Sequence, residues 1–159
     1  MDLSQDGQQL IKRFEQLRLT GYLPTPHDKP TIGWGHTGKT LNGAPVRLGV
    51  TITEAEAESL FLLDIQWAVK FANTANDERS VENPPLLQPQ FDALVSLIFN
   101  IGQHSFEYSH LRKAIVAADE AQTRAQWKVW CYQAGEILPG LINRRNAEWS
   151  MWSTALVTT

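Results

Sequence analysis

Cysteine is almost missing from this chain of 159 residues, where Cys131 stands alone. One thiol cannot close an intramolecular disulfide, so the chain is not a disulfide-stapled secreted domain. It fits folding in a reducing compartment, with Cys131 as a small apolar side chain. Long apolar runs are lacking too, and none approaches the roughly 20 residues of a membrane helix, which predicts no stable membrane insertion. Met1-Asp2-Leu3-Ser4-Gln5-Asp6 offers neither a basic nor an apolar leader region, so no secretory signal is read there. A basic surplus is also absent. Lys and Arg number 14 against 17 Asp and Glu, for a formal charge of −3. That balance argues against nucleic acid as a partner and supplies no long-range pull toward an anionic polymer. The possible soft metal ligands are four histidines and Cys131, with no HExxH or paired-cysteine spacing, so neither metal nor cofactor is expected.

What is present is ordinary for a folded domain: 43% hydrophobic and 19% charged residues. The length fits one domain, 1–159, with two lobes. Leu10, Ile11, Phe14 and Leu17 recur at helical spacing behind Ser4, a candidate N-cap, and predict a helix to about Arg18. Gly21, Pro24, Pro26, Pro30, Gly33, Gly35, Gly38 and Gly43 then rule out a long helix. Short strands at Gly21–Leu23, Thr31–Trp34 and near Val46 predict a small β lobe, about 15–50 with the first helix. Thr53-Glu54-Ala55-Glu56 has the form of a capping box. Leu60, Leu63, Asp64, Trp67 and Phe71 extend it into a long linking helix that opens a helical lobe, about 53–152. Asn73 to Pro89 reads mainly as loop. Further helices are expected at Gln90–Ile101 (ended by Gly102), Ser109–Ala118, Ala121–Cys131 and Leu141–Trp152, with a frayed tail from Thr154 to Thr159.

Glu15 is the first residue of chemical interest. A carboxyl at the junction of a helix and a Gly/Pro-rich lobe gains a raised pKa by partial burial and stays a proton donor, whereas most helical glutamates are solvated. Trp34 lies between two glycines. Its ring either stacks on a sugar face or packs into a minor core. His36 either lines a site or pairs with a carboxylate, and the second role is preferred because buried polar groups need partners. Trp127, Trp130, Trp149 and Trp152 fall in i, i+3 pairs, a spacing that favours core packing over sugar binding.

Four motifs make the sequence resemble a known family. Phe14-Glu15-Gln16-Leu17-Arg18-Leu19, followed by Tyr22, is similar to the Glu-Gly-Leu-Arg-Leu-x-x-Tyr stretch of phage-type lysozymes (glycoside hydrolase family 24). Thr31-Ile32-Gly33-Trp34-Gly35-His36-Thr37 resembles that family's Thr-Ile-Gly-Tyr-Gly-His-Thr. Phe99-Asn100-Ile101-Gly102 matches its Phe-Asn-Val-Gly. Trp130, Ala134-Gly135, Leu138-Pro139-Gly140-Leu141 and Arg144-Arg145 match its C-terminal block. The resemblance implies an α+β, lysozyme-like fold with a cleft between a small β lobe and a larger helical lobe. It implies an endolysin acting on the β-1,4 glycan bonds of bacterial peptidoglycan. Such an enzyme would be a monomer held in the host bacterial cytoplasm until a holin opens the membrane.

The same resemblance carries Glu15 over as general acid and Thr31 as a second catalytic residue. Tyr22, Trp34, His36, Asn100 and Arg144 become candidate substrate-binding residues, with Arg144 also expected near Glu15. The family's catalytic Asp falls on Pro24, which has no titratable group. The loop is also one residue longer than the family's commonest spacing. Glycoside hydrolysis ordinarily needs a second carboxylate. Asp28 is the nearest one before Thr31, and the alternatives are that Asp28 only shapes a turn, or that Thr25 and Thr31 position the water. Two rival functions follow from the same features: an inactive wall-binding module, favoured by Pro24, and a zinc amidase, disfavoured by ligand spacing.

Overall fold

The computed structural model describes residues 1–133 and 135–157. Its contacts gather into two compact units, Ile11–Gln66 and Met1–Leu10 with Trp67–Thr159. The fold is α+β: eight helices and five short strands among the described residues.

The first helix, α1 (Gln5–Glu15), starts where Ser4 Oγ accepts the Gly7 N–H at 3.2 Å, the N-cap expected for Ser4. It ends earlier than its apolar spacing predicts. Gln16 adopts φ 55°, which stops the helix at Glu15, and the chain enters β1 (Arg18–Tyr22) instead of continuing to Arg18.

In the unit spanning Ile11–Gln66, β1, β2 (Thr31–Gly33) and β3 (His36–Thr37) form an antiparallel sheet in the order β1-β2-β3. Tyr22 pairs with Thr31, and Thr31 with Thr37, so the three form one row across the sheet. The pairing of β1 with β2 is irregular between Arg18 and Tyr22, as a bulge requires. Ile32 points to the opposite face and is fully buried with Val46, Ile52, Ala57 and Leu60. Val46 therefore serves the core, but outside any strand; its N–H donates to Gly38 O at 2.8 Å. Gly21 has to be glycine for lack of room, because a Cβ there would lie 2.1 Å from the Arg47 carbonyl oxygen.

The capping box forms as its sequence predicts. Thr53 Oγ1 accepts the Glu56 N–H at 3.1 Å, and Glu56 Oε2 accepts the Thr53 N–H at 2.7 Å, opening α2 (Glu54–Asp64). The expected long helix is two: Ile65 separates α2 from α3 (Gln66–Arg79). The second piece runs through Asn73–Arg79, a stretch read from sequence as loop.

The other unit is helical. α4 (Gln88–Ile101) is buried along Gln90–Ile98 and ends at Gly102 with φ 86°. After it come α5 (Gln103–Glu107), α6 (His110–Val116, capped by Ser109) and α7 (Glu120–Lys128, capped by Asp119). α7 stops at Lys128, short of the predicted end at Cys131, and after a turn a two-stranded hairpin of β4 (Tyr132–Gln133) and β5 (Glu136–Ile137) follows. The last helix, α8 (Pro139–Val157), packs on α4 and continues through Thr154–Val157, where sequence predicted a tail. Ala134, Thr158 and Thr159, named in the motif and tail readings, lie outside the described residues. Trp127 and Trp152 are fully buried with ring centroids 5.2 Å apart, whereas Trp130 and Trp149 are only partly buried, so core packing holds for one member of each pair.

Candidate active site

The cross-strand row of Tyr22, Thr31 and Thr37 forms one wall of an open pocket of about 590 Å³. Pro24, His27, Asp28 and Lys29 come from the β1–β2 loop, Gly35 from the β2–β3 turn, and Glu15 from the last position of α1. All lie within the Ile11–Gln66 unit. The pocket thus gathers Glu15, Asp28, Thr31 and Tyr22, four of the residues singled out from sequence.

Each is placed by local structure. Glu15 is held at the end of α1 by the left-handed turn at Gln16, and its Oε2 lies 3.7 Å from where a Cβ on Gly35 would stand. Gly35 itself has φ 89°, so a side chain here would strain the backbone. Asp28 is exposed; its N–H donates to Thr25 O at 3.1 Å, so the residue closes a tight turn while its carboxylate lines the pocket. Thr31 is buried, and its hydroxyl donates to Lys29 O at 2.9 Å, tying the loop to the sheet. Pro24 lines the same pocket where the family's acidic residue is expected.

Other candidates lie elsewhere. Trp34 is not among the pocket-lining residues; its ring packs edge-on against Phe61, with centroids 5.9 Å apart. His36 Nδ1 lies 2.9 Å from Asp64 Oδ2 and Nε2 lies 2.7 Å from Lys39 O. Both ring nitrogens thus face oxygens, and the Asp64 contact gives His36 the carboxylate partner preferred for it. Burial raises the Asp64 carboxyl above its ordinary value, and His36 partly offsets this.

In the helical unit, Arg144 Nε donates to Glu148 Oε1 at 3.2 Å and its Nη2 to Ser96 O at 3.3 Å. Asn100 Oδ1 accepts from Arg145 Nη2 at 2.9 Å. Glu148 is fully buried and also accepts from Ser96 Oγ at 2.7 Å and Trp127 Nε1 at 3.3 Å. Desolvation lowers the Arg145 guanidinium from its ordinary value, against the pull of Glu148.

His27, Lys29 and Thr37 line the pocket without having been singled out. Thr37 closes the Thr31–Thr37 motif, and its direct cross-strand pairing with Thr31 places it on the same side of the sheet. His27 and Lys29 flank Asp28, and their only signal was that neighbourhood. Among the described residues, no three His, Cys, Asp or Glu side chains gather as a metal site, and no helix is long and apolar enough to cross a membrane.

The phage lysozyme family model matches residues 12–148, a span holding every residue named above as a site candidate. The chain belongs to the phage lysozyme family. This makes it a glycoside hydrolase with a lysozyme-like fold. It is 36% identical over 159 residues to the endolysin of Acyrthosiphon pisum secondary endosymbiont phage 1, covering 98% of this chain and all of that one. It is 34% identical over 155 residues to the endolysin of Bacillus phage PZA, covering 97% of this chain but 56% of that longer one. Among solved structures, an endolysin from Escherichia coli O157:H7 phage FAHEc1 superposes with a TM-score of 0.82 at 32% identity, over 98% of this lysozyme and 95% of that chain.

Proposed function

We propose that this lysozyme is an endolysin that hydrolyses the β-1,4 bonds between N-acetylmuramic acid and N-acetylglucosamine in bacterial peptidoglycan. Glu15 donates the proton to the leaving oxygen. Asp28 supplies the negative charge that activates water or steadies the oxocarbenium-like state, in place of the residue lost at Pro24. Thr31 positions the water and Tyr22 contacts the sugar. For the helical unit, Asn100 is assigned a substrate contact on motif grounds, while the buried Arg144, bonded to Glu148 and Ser96, fits a structural role. Trp34 and His36 fit structural roles better, because their polar and ring partners lie outside the pocket. The whole chain is read as one catalytic domain that works as a monomer without a metal. It is read as held in the host cytoplasm until a holin gives it access to the wall.

The observation that supports the reading is a pocket lined by both Glu15 and Asp28 beside the Tyr22–Thr31–Thr37 row. Endolysin relatives of matching length support it. The test compares Glu15→Gln and Asp28→Asn in a wall-lysis assay. Glu15→Gln should lose about 100-fold or more, the range of general acid catalysis. Asp28→Asn should lose about 10-fold or more. Unchanged lysis by Asp28→Asn would remove it from the mechanism and leave water positioning to Thr25 and Thr31.

A further inference from the structure

Lys12 sits one helical turn before Glu15, and its environment is unusual for a lysine. Its side chain is 19% exposed. The ammonium pairs with Glu58 Oε1 and lies over two aromatic faces, 4.7 Å from the Trp34 ring centroid and 4.8 Å from that of Phe61. The two rings meet at an interplanar angle of 65°. Ring faces carry negative electrostatic potential, so the carboxylate and both faces are served by one cation that no neutral side chain replaces.

The partners come from three elements. Lys12 belongs to α1, Glu58 and Phe61 to α2, and Trp34 to the β2–β3 turn, whose next residue is Gly35. Gly35 and Glu15 face each other in the pocket. One ammonium group therefore fastens the helix that carries the proposed acid to the turn the acid leans against, and both to α2. The fully buried Ile11 anchors the same stretch of α1 by apolar packing, and the Lys12 contacts add a polar clamp next to it. Rotation of α1 would swing Lys12 off the rings and Glu15 off Gly35 together.

We infer that Lys12 is a positioning residue that holds the Glu15 carboxyl at its working place by clamping α1 to Trp34, Phe61 and Glu58. The inference rests on Glu15 being the acid. Misplacing an acid without removing it weakens the chemical step and leaves substrate affinity largely intact. A merely structural lysine would lower the melting temperature and leave kcat unchanged well below it.

The experiment uses the full chain on soluble peptidoglycan fragments, with kcat and KM measured at a temperature where every variant is folded. Lys12→Met, which keeps the stem and drops the charge, should lower kcat about 10-fold with KM within about twofold. Lys12→Arg should recover at least half of the lost kcat, since a guanidinium keeps both the ion pair and the ring contacts. Wild-type kcat in Lys12→Met, or no recovery in Lys12→Arg, overturns the inference. If Lys12→Met does not fold, the half-exposed Glu58→Gln carries the test; kcat should fall about two- to threefold, and an unchanged value overturns it. Glu15→Gln run alongside separates the two claims. Activity surviving in Glu15→Gln overturns both, whereas an inactive Glu15→Gln beside a fully active Lys12→Met overturns only the role of Lys12.

Discussion

At the scale of single residues, the site depends on small backbone facts as much as on its carboxylates. Glu15 ends α1 because Gln16 turns left-handed, and it meets a backbone edge because Gly35 has no side chain. Gly21 shows the same economy of space under the sheet. Its N–H donates to Val50 O at 2.7 Å and its carbonyl accepts from Gly49 at 3.1 Å, leaving no room beside Arg47 O. Gly21→Ala should therefore cost about 1–3 kcal/mol through forced backbone displacement. Urea denaturation would show it as a lower midpoint with an unchanged slope; a midpoint equal to wild type would mean that the Arg47–Val50 loop yields freely. Pro24 is the informative departure. It lines the pocket without any group to titrate, and the exposed Asp28 lines the same pocket.

At the scale of elements, the capping box of α2 offers a test with a defined pH dependence. Thr53→Ala should destabilise the protein by about 1 kcal/mol. The backbone N–H of Thr53 holds the Glu56 carboxyl below its ordinary value of 4.5. A depressed carboxyl contributes stability that is complete above the unfolded value and is lost as pH falls through the folded one. The gap between wild type and Glu56→Ala, which removes the titrating carboxyl, measured by thermal melting, should therefore narrow as pH drops below about 4.5. A gap that widens there would contradict the box.

Elements with strong periodicity or explicit caps were legible in the sequence: α1 behind Ser4, α2 behind Thr53, and α4 up to Gly102. The misses have physical causes. Asn73–Arg79 is polar and its sequence predicts loop, yet Asn76 and Arg79 are buried because each finds backbone partners. Asn76 Oδ1 accepts from Leu86 N at 2.6 Å, while Arg79 donates to Pro84 O at 2.8 Å and Ile115 O at 2.6 Å. Hydrogen bonding thus concealed a helix face that hydropathy cannot report. The two-residue strands β3, β4 and β5 and the five-residue α5 are too short to carry a period at all. In the site, Glu15 and Thr31 were legible through motifs. His27 and Lys29 entered the pocket through loop geometry that no spacing rule encodes.

At the scale of the whole molecule, the two units are held by different means. The Ile11–Gln66 unit has a small apolar core around Ile32 and relies on tight turns and on polar contacts such as the Lys12–Glu58 ion pair. The helical unit buries α4 almost completely and places two arginines on one fully buried carboxylate, with Arg145 Nε 2.7 Å from Glu148 Oε2. A buried charge stripped of its partner is costly. Glu148→Gln should destabilise the protein by about 3–5 kcal/mol, read as a lowered denaturant midpoint, and a change below about 1 kcal/mol would contradict the account of this cluster.

With a formal charge of −3, the lysozyme has no long-range attraction to an anionic wall, so activity depends on what the pocket does at contact. The most direct test digests purified peptidoglycan with wild type and with Glu15→Gln and analyses the products by mass. The account predicts fragments ending in reducing N-acetylmuramic acid from wild type and about 100-fold fewer from the variant. Anhydro-muramic ends, freed stem peptides, or equal release by both proteins would contradict it.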